Sequence, residues 1–279
     1  MIAASAIAAA VAEGVAEAAV TLRPDVRSAL DAALATEPSE RARRVLQQLL
    51  ENARIAESDR VPVCQDTGTV WAWVELGASE CIEGDLQREV DAAVAAVYRA
   101  NGLRMSVVRD ALVDRTNTGD NTPAFIDLSF RPGSGAIVHV MLKGGGSDNA
   151  SALMMLEPAA GAEGVVDAVI RLVEAKATAA CPPLIIGVGV GGTFDSVGKL
   201  AKKALLVPLD APPAEGAAGD LERTLLERVN ATGIGPAGLG GRTTALGVRV
   251  LTAPCHIAAL PVAVNLGCCA VRTAHREIA

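Results

Sequence analysis

The stretch Pro62-Val63-Cys64-Gln65-Asp66-Thr67-Gly68-Thr69 sets a thiol, an amide, a carboxylate and a hydroxyl side by side just before and after a glycine. No packing role requires so dense a run of polar side chains. The surrounding sequence predicts a helix that ends near residue 60 and a strand over residues 70–76, so this stretch is a loop between them. A single cysteine beside an aspartate is more often structural than catalytic, and the role of this loop therefore depends on the partners that other segments supply.

The composition restricts the class of protein. The chain has 279 residues, of which 51% are hydrophobic and only 2% aromatic, so a large core must be built from Ala, Val, Leu and Ile. A net charge of -7 disfavours a surface for polyanions, and we expect neither nucleic acid nor a membrane as a partner. An anionic substrate would need a local basic pocket.

The N-terminal region is rich in alanine but does not have the pattern of a secretory signal. No basic residue precedes its apolar part, and Glu13 and Glu17 interrupt it, so we interpret residues 1–20 as a helix. No apolar run of about 18 residues is free of charge, Gly and Pro, which predicts no membrane-spanning helix. The six cysteines of such a chain are expected to be reduced thiols or metal ligands, and the expected location is cytoplasmic.

Hydrophobic periodicity predicts a mixed α/β (α+β) fold. We interpret residues 1–279 as a single domain, with a helix-rich portion at 1–60 and an α/β portion at 61–279. Further helices are predicted at 85–101, 161–179 and 220–230, and strands at 70–76, 124–130, 136–142, 184–190 and 245–252. The Pro- and Gly-containing link at 131–135 predicts a hairpin between the strands on either side of it.

Two polar segments adjoin these predicted strands. The run Lys143-Gly144-Gly145-Gly146-Ser147-Asp148-Asn149 follows a strand. Its glycines leave backbone N–H groups open and its lysine adds a cation, so it is suited to cradle a carboxylate or a phosphate. The run Asn117-Thr118-Gly119-Asp120-Asn121-Thr122-Pro123 has the residue types of a turn, and we interpret it as a plain turn.

A second glycine pattern favours a different function. Gly187, Gly189 and Gly192 have the spacing of the dinucleotide-binding fingerprint and follow a predicted strand, which is the basis for an alternative hypothesis of a nucleotide-binding regulatory module. The acidic residue at the appropriate distance, Asp210, lies in the Pro- and Gly-rich segment 208–219 and not at the end of a second strand. This position disfavours the nucleotide hypothesis.

Six motifs, in order along the chain, carry a resemblance to a known family. They are Cys64-Gln65-Asp66-Thr67-Gly68, the 117–123 turn, Lys143-Gly144-Gly145-Gly146-Ser147, Ala180-Cys181-Pro182-Pro183 with Gly191-Gly192-Thr193-Phe194-Asp195, Gly238-Leu239-Gly240-Gly241-Arg242-Thr243-Thr244, and His256 through Cys268. Together they resemble class I (iron–sulfur) fumarate hydratase, and more closely the α subunit of its two-subunit form or of the similar L(+)-tartrate dehydratase. The resemblance covers nearly the whole chain and implies short strands and glycine-rich loops around an iron–sulfur site.

The resemblance implies a 4Fe–4S cluster as cofactor, with three cysteine ligands and one iron left open. Carried over by motif, the ligands are Cys64, Cys181 and Cys268. Thiolates suit such clusters whatever their order along the chain, and spacing alone does not indicate one here. Whether Cys268 or the adjacent Cys269 is the third ligand stays open, and the remaining two cysteines are interpreted as non-ligating.

The resemblance also implies an activity, the reversible hydration of fumarate to L-malate, with L(+)-tartrate dehydration as an alternative. The open iron acts as a Lewis acid on the substrate hydroxyl group. The implied catalytic residues are Asp66, a candidate acid, with Gln65 and His256 as hydrogen-bonding groups. The implied substrate-binding residues are Arg104, a bidentate carboxylate ligand, and Lys143, Gly144 and Gly145.

A partner chain is the last expectation from the resemblance. Fused enzymes of the family carry a further C-terminal domain with the proton-abstracting group and additional cationic substrate contacts, whereas this sequence ends soon after Cys268. We therefore expect a β subunit that supplies these groups, an α2β2 assembly, and no activity in the isolated chain.

Overall fold

The computed structural model describes all 279 residues. The helices are α1 (Ala4–Val20), α2 (Pro24–Thr36), α3 (Glu40–Asp59), α4 (Leu86–Ala100), α5 (Gly145–Asn149), α6 (Gly161–Lys176), α7 (Ser196–Ala204) and α8 (Ala217–Ala231). The strands are β1 (Ile2–Ala3), β2 (Thr69–Gly77), β3 (Ile82–Glu83), β4 (Phe125–Arg131), β5 (Ala136–Lys143), β6 (Ala152–Leu156), β7 (Leu184–Gly191), β8 (Ala245–Ala253), β9 (Leu260–Gly267) and β10 (Arg272–Ile278). The predicted α+β class is confirmed.

The chain forms two compact units. The first unit consists of Met1–Arg23, Ala53–Gly145 and Arg272–Ala279, and the second of Pro24–Asn52 and Gly146–Val271. The helix-rich portion that we predicted at residues 1–60 is shared between the two units. The interpretation of residues 1–279 as one domain stays a prediction.

The first unit is built on a four-stranded sheet with the order β10-β5-β2-β4. Helix α1 packs against β5 and β10, and α4 packs against α1. The side chains of Val70 and Val74 from β2 and of Val11 and Val15 from α1 are fully buried in this core. Gly14 allows the helix to approach the sheet closely, because a Cβ atom there would lie 2.8 Å from Cγ2 of Val140.

The predicted hairpin between residues 124–130 and 136–142 is wrong. Strands β4 and β5 form at these places, but β2 lies between them, parallel to β4 and antiparallel to β5. The link at 131–135 passes around the end of β2, where the N–H of Gly77 donates to the carbonyl of Gly135 at 2.8 Å. A local turn pattern does not reveal that a strand from earlier in the chain pairs between its two neighbours.

The second unit is built on another four-stranded sheet, with the order β6-β9-β7-β8. Strand β7 is parallel to β8 and antiparallel to β9. Helix α8 packs on β8 and against α6, and the residues of these helices share one hydrophobic core with the sheet. Helix α7 packs against β7 and β9, where Val197 and Ala201 form a smaller core with Ala263.

The glycines of the dinucleotide-like pattern have a packing role in this unit. Gly187 and Gly189 lie within β7 and not in the turn that follows it. A Cβ atom on Gly187 would lie 2.2 Å from the carbonyl oxygen of Ala201, and one on Gly189 would lie 2.7 Å from that of Val197. The two glycines therefore let α7 pack directly on the strand, and the resemblance to a phosphate-binding turn is one of spacing only.

One segment is long and apolar enough to cross a membrane by length and composition, although we expected none. It is Ala4–Thr36, with a mean hydropathy of 1.5 over its best window, of which 56% is buried in the structure. The segment consists of the two helices α1 and α2, separated at residues 21–23. The apolar character of α1 is accounted for by its packing on β5 and β10, since Ile7, Val11 and Val15 are fully buried there.

A buried ion pair joins α8 to β8 in the second unit. The carboxylate of Glu222 accepts from the N–H of Val250 at 2.9 Å and of Ala214 at 3.2 Å, and lies 3.4 Å from Nη1 of Arg249. Nη2 of Arg249 donates to the carbonyl of Pro208 at 2.6 Å. The pair thus holds the segment 208–214, which has no regular structure of its own, against the strand.

We predict that Glu222→Ala lowers the free energy of unfolding by about 3 kcal/mol, because it leaves the Arg249 guanidinium buried without its counter-charge. The control is Asp220→Ala on the same helix, whose ion pair with Arg223 is 68% and 66% exposed and should contribute less than about 1 kcal/mol. Chemical denaturation of the two variants measures the difference. Equal losses of unfolding free energy in the two variants would show that the buried ion pair stabilises the fold no more than the exposed one.

Candidate active site

The loop before β2 lies directly against the end of β5 in the first unit. Gly68 has a φ of +79°, and a Cβ atom there would lie 2.6 Å from both the carbonyl carbon and the carbonyl oxygen of Lys143. Only glycine meets both the conformational and the steric requirement. The loop 64–68 and the run 143–145, which the sequence indicated separately, are therefore neighbours.

Two buried side chains form hydrogen bonds with the main chain of this loop. The hydroxyl of Tyr98, which is fully buried, lies 3.1 Å from the carbonyl oxygens of both Thr67 and Gly68, which share its one donor proton. Burial raises the pKa of Tyr98 to about 12, so the phenol keeps the proton with which it donates. The amide Nδ2 of Asn121 donates to the carbonyl of Gly68 at 3.1 Å, and its Oδ1 accepts from the N–H of Ser106 at 2.7 Å.

Asn121 corrects the interpretation of residues 117–123 as a plain turn. Its side chain is fully buried and its backbone has a φ of 61°, which non-glycine residues seldom adopt. The turn therefore directs an amide side chain into the interior, where it connects the loop 64–68 with the segment around Ser106. The abundance of turn-forming residue types concealed this second role.

The carboxylate of Asp66 is held by hydrogen bonds from three directions. Oδ1 accepts from the N–H of Gly68 at 3.0 Å and from the hydroxyl of Ser106 at 3.4 Å, and Oδ2 accepts from the N–H of Gly145 at 2.8 Å. The Gly145 N–H group that we expected to be open thus donates to Asp66. Gly144 lies close beside it, since a Cβ atom there would be 3.2 Å from Oδ2.

The other candidate residues of the first unit differ in how free their side chains are. Arg104 is exposed and its guanidinium group forms no ion pair in the chain, while its carbonyl accepts from Oγ1 of Thr67 at 2.5 Å. The main chain of Arg104 is thus fixed beside the loop and its charge is available. Gln65 is also exposed, and its Oε1 lies 3.5 Å from Sγ of Cys64. Lys143 is only 4% exposed.

The second unit brings the other two candidate ligand segments together. Cys181 follows a short 3-10 turn with a φ of 56°, and its side chain is exposed. Its carbonyl group accepts from the N–H of Cys269 at 3.3 Å. The side chain of Cys269 is buried, whereas that of Cys268 is partly exposed. Cys268 is therefore the more accessible of the two adjacent cysteines.

His256 lies in the exposed turn between β8 and β9, and the contacts of its ring are within that turn. Its Nδ1 accepts from the N–H of Ala258 at 3.1 Å, so in the neutral ring Nε2 carries the proton. Cys255, which we interpreted as non-ligating, donates from Sγ to the carbonyl of Ala259 in the same turn.

The donor chemistry of the chain fits the expected cluster. All six cysteines are free thiols. Within each of the two units, no three His, Cys, Asp or Glu side chains are grouped as a metal site. The implied ligand set draws on both units, with Cys64 in the first and Cys181 and Cys268 in the second. Its convergence therefore stays a prediction.

Two residues of the candidate site, Arg272 and Tyr98, were not predicted from the sequence. Arg272 is 1% exposed, and its Nη1 donates to the carbonyl of Asp66 at 2.6 Å. It begins the alternating strand β10, in which the second arginine, Arg276, forms surface ion pairs with α1. Nothing in the alternation distinguishes the two arginines. The one feature of the sequence that indicates a role for Arg272 is its position four residues after Cys268.

Comparison with known proteins identifies the class. A family described as fumarate hydratase (Fumerase) matches residues 8–277. The chain therefore belongs to the fumarate hydratase family, a family of hydro-lyases, as its motifs predicted. The relatives are more specific in name. A putative L(+)-tartrate dehydratase subunit alpha of Methanocaldococcus jannaschii is 38% identical over 94% of each chain. The L(+)-tartrate dehydratase subunit alpha of Escherichia coli K12 is 32% identical over 85% of this chain and 78% of its own.

We predict that Gly68→Ala lowers the free energy of unfolding by at least about 2 kcal/mol more than Gly119→Ala does. Both glycines have a φ of +79°, but a Cβ atom on Gly119 would meet nothing within 4 Å. The control therefore carries the same backbone strain, about 1–2 kcal/mol, without the overlap with Lys143. Chemical denaturation measures both variants, and equal losses would contradict the close approach of the two loops.

Proposed function

We propose that this chain is the α subunit of an iron–sulfur hydro-lyase that hydrates fumarate to L-malate reversibly. The observation that carries the proposal is the loop 64–68. It presents a thiol, an amide and a hydrogen-bonded carboxylate in consecutive residues, Cys64, Gln65 and Asp66, beside the main chain of Arg104, whose side chain is exposed. An iron–sulfur hydro-lyase for a dicarboxylate needs these types of group: a thiolate ligand for the cluster, an acid, and a cation that binds a substrate carboxylate.

Each residue then has a defined task. When bound, a cluster with one open iron supplies Lewis acidity that stabilises the charge developing on the hydroxyl oxygen of the substrate. In its protonated form Asp66 donates a proton to the departing hydroxyl group, which leaves as water, and the position of Asp66 is set by the N–H groups of Gly68 and Gly145. Arg104 binds a substrate carboxylate with two parallel N–H groups. Gln65 and His256 donate hydrogen bonds to the substrate, and the backbone at Gly144 contributes a further anion contact near Lys143.

The proposed cluster ligands are Cys64, Cys181 and Cys268. The different exposure of the adjacent cysteines supports Cys268 over Cys269, since a buried thiol is inaccessible to a cluster that must also admit substrate. The hydrogen bond between the Cys269 N–H and the Cys181 carbonyl supports a shared location for the second and third ligands. Cys81 and Cys255 have no part in the proposed set.

L(+)-tartrate dehydration is the second candidate, and the names of the relatives favour it. L-malate and L(+)-tartrate share the two carboxylates and the hydroxyl group that leaves, and tartrate has one further hydroxyl group. The residues assigned above, Asp66, Arg104 and Gln65, address the shared groups. Hydration of fumarate remains the function that we propose first, because the motifs and the description of the family both favour it.

A β subunit completes the proposed enzyme. The relatives are named α subunits, which supports a partner chain for this one as well. We propose that the partner supplies the group that abstracts the proton from carbon, together with further cationic contacts, in an α2β2 assembly in the cytoplasm. The α chain alone contributes an acid and ligands but no assigned base.

We predict that Cys64→Ala, Cys181→Ala and Cys268→Ala each abolish the broad visible absorbance of the anaerobically reconstituted chain, because an iron–sulfur cluster needs all its thiolate ligands. Cys81→Ala and Cys255→Ala are the matched controls and should keep the absorbance and the iron content. Retention of the cluster in a Cys268→Ala variant, with its loss in Cys269→Ala, would transfer the third ligand to Cys269.

We predict that co-expression with a β-type partner produces an oxygen-sensitive activity on L-malate or L(+)-tartrate, and that the α chain alone has none. Anaerobic assays of both substrates at equal concentrations give the ratio of the two kcat/KM values and so select the substrate. Full activity of the isolated α chain would contradict the assignment of the base to the partner.

A further inference from the structure

Arg272 is buried more completely than a surface-type side chain should be. It is the bulkiest of the fully buried side chains, with an exposure of 1%. Its Nη1 donates to the main-chain carbonyl of Asp66 at 2.6 Å, and its Nε has no hydrogen-bond partner. Burying an incompletely bonded guanidinium group is unfavourable, and an apolar residue of similar volume would stabilise the fold as well or better. A structural role alone therefore does not account for arginine at this position.

The strand pairing explains why Arg272 reaches the candidate site. Arg272 pairs with Leu142 across β10 and β5, and Lys143 pairs with Thr69 across β5 and β2. The start of β10, the end of β5 and the start of β2 therefore lie side by side, at the same end of these three neighbouring strands. The loop 64–68 precedes β2 at this end of the strands, and the run 143–145 follows β5 there.

Gly144 lies close to both the guanidinium group of Arg272 and the carboxylate of Asp66. A Cβ atom on Gly144 would lie 3.2 Å from Oδ2 of Asp66 and 3.5 Å from Nη2 of Arg272. The guanidinium plane thus lies next to the backbone that positions Asp66, and it bonds the main chain of Asp66 while Gly68 and Gly145 bond its carboxylate.

We propose that Arg272 is a positioning residue, which fixes the main chain of Asp66 so that the carboxylate points to the substrate. This role rests on the proposed function of Asp66 as the acid. Arginine suits it because the planar group holds one fixed direction, whereas a lysine ammonium group offers a single flexible point charge. Displacement of a catalytic group by about 1 Å can lower the rate about 100-fold while binding is maintained.

The test uses the co-expressed α and β chains with Arg272→Met and Arg272→Lys in the α chain. Arg272→Met should lower kcat by about 10- to 100-fold with a change in KM below about threefold. Arg272→Lys restores the charge but not the planar contact, and its kcat should lie between those of the wild type and Arg272→Met. The control is Arg276→Met on the same strand, whose ion pairs with Glu13 and Glu17 lie away from Asp66 and whose loss should leave kcat unchanged.

A second measurement does not depend on activity. Amide hydrogen exchange reports the N–H groups of Gly68 and Gly145, which both donate to the Asp66 carboxylate. Arg272→Met should accelerate their exchange by about tenfold or more, while the amides in the centre of β5 keep their protection. Arg276→Met should leave the Gly68 and Gly145 amides unchanged.

The outcomes separate this proposal from the proposed function. Wild-type kcat and unchanged exchange in Arg272→Met would overturn the positioning role and leave the hydro-lyase assignment intact. An inactive wild-type assembly on all hydroxy dicarboxylates would count against the hydro-lyase, and the exchange measurement would still decide whether Arg272 holds Asp66. If neither Arg272 variant folds, the arginine is required for the fold itself and the specific positioning role is overturned.

Discussion

The contact between the backbones of Gly68 and Lys143 is the constraint on which the candidate site depends. It requires a residue without a side chain and with a positive φ at position 68. The contact brings two polar loops together. The carbonyl groups of Thr67 and Gly68 are buried there, and burial without a hydrogen bond would lower the stability of the fold. Tyr98 and Asn121 donate hydrogen bonds to these carbonyl groups. The Asp66 carboxylate is fixed as a result, since its donors come from both loops.

Local patterns predicted the elements far better than they predicted the arrangement. Helices α4, α6 and α8 and strands β2, β7 and β8 form where periodicity placed them, within a few residues. Strands β9 and β10 were not predicted, because one starts at a proline-containing run and the other alternates like a surface segment. The order of the first sheet depends on long-range pairing, and the insertion of β2 between β4 and β5 has no local signature.

The candidate site was predicted where polar residues are concentrated and missed where a single residue acts from the interior. The runs 64–68 and 143–145 contain residue types that no packing role requires, and the structure makes them neighbours. Tyr98 lies on an ordinary amphipathic helix, and Arg272 cannot be told from Arg276 without knowledge of burial. The glycines at 187 and 189 show the converse, since their spacing fits a nucleotide site and their contacts are with α7.

We propose that Cys64, Cys181 and Cys268 hold one iron–sulfur cluster. The most direct measurement is an iron anomalous difference map from a crystal of the chain with its β-type partner, grown without oxygen. We expect a single cluster bonded by the Sγ atoms of these three cysteines, with one iron free of protein ligands. Iron bonded by Cys269 in place of Cys268, or a fully active assembly that contains no iron, would contradict it.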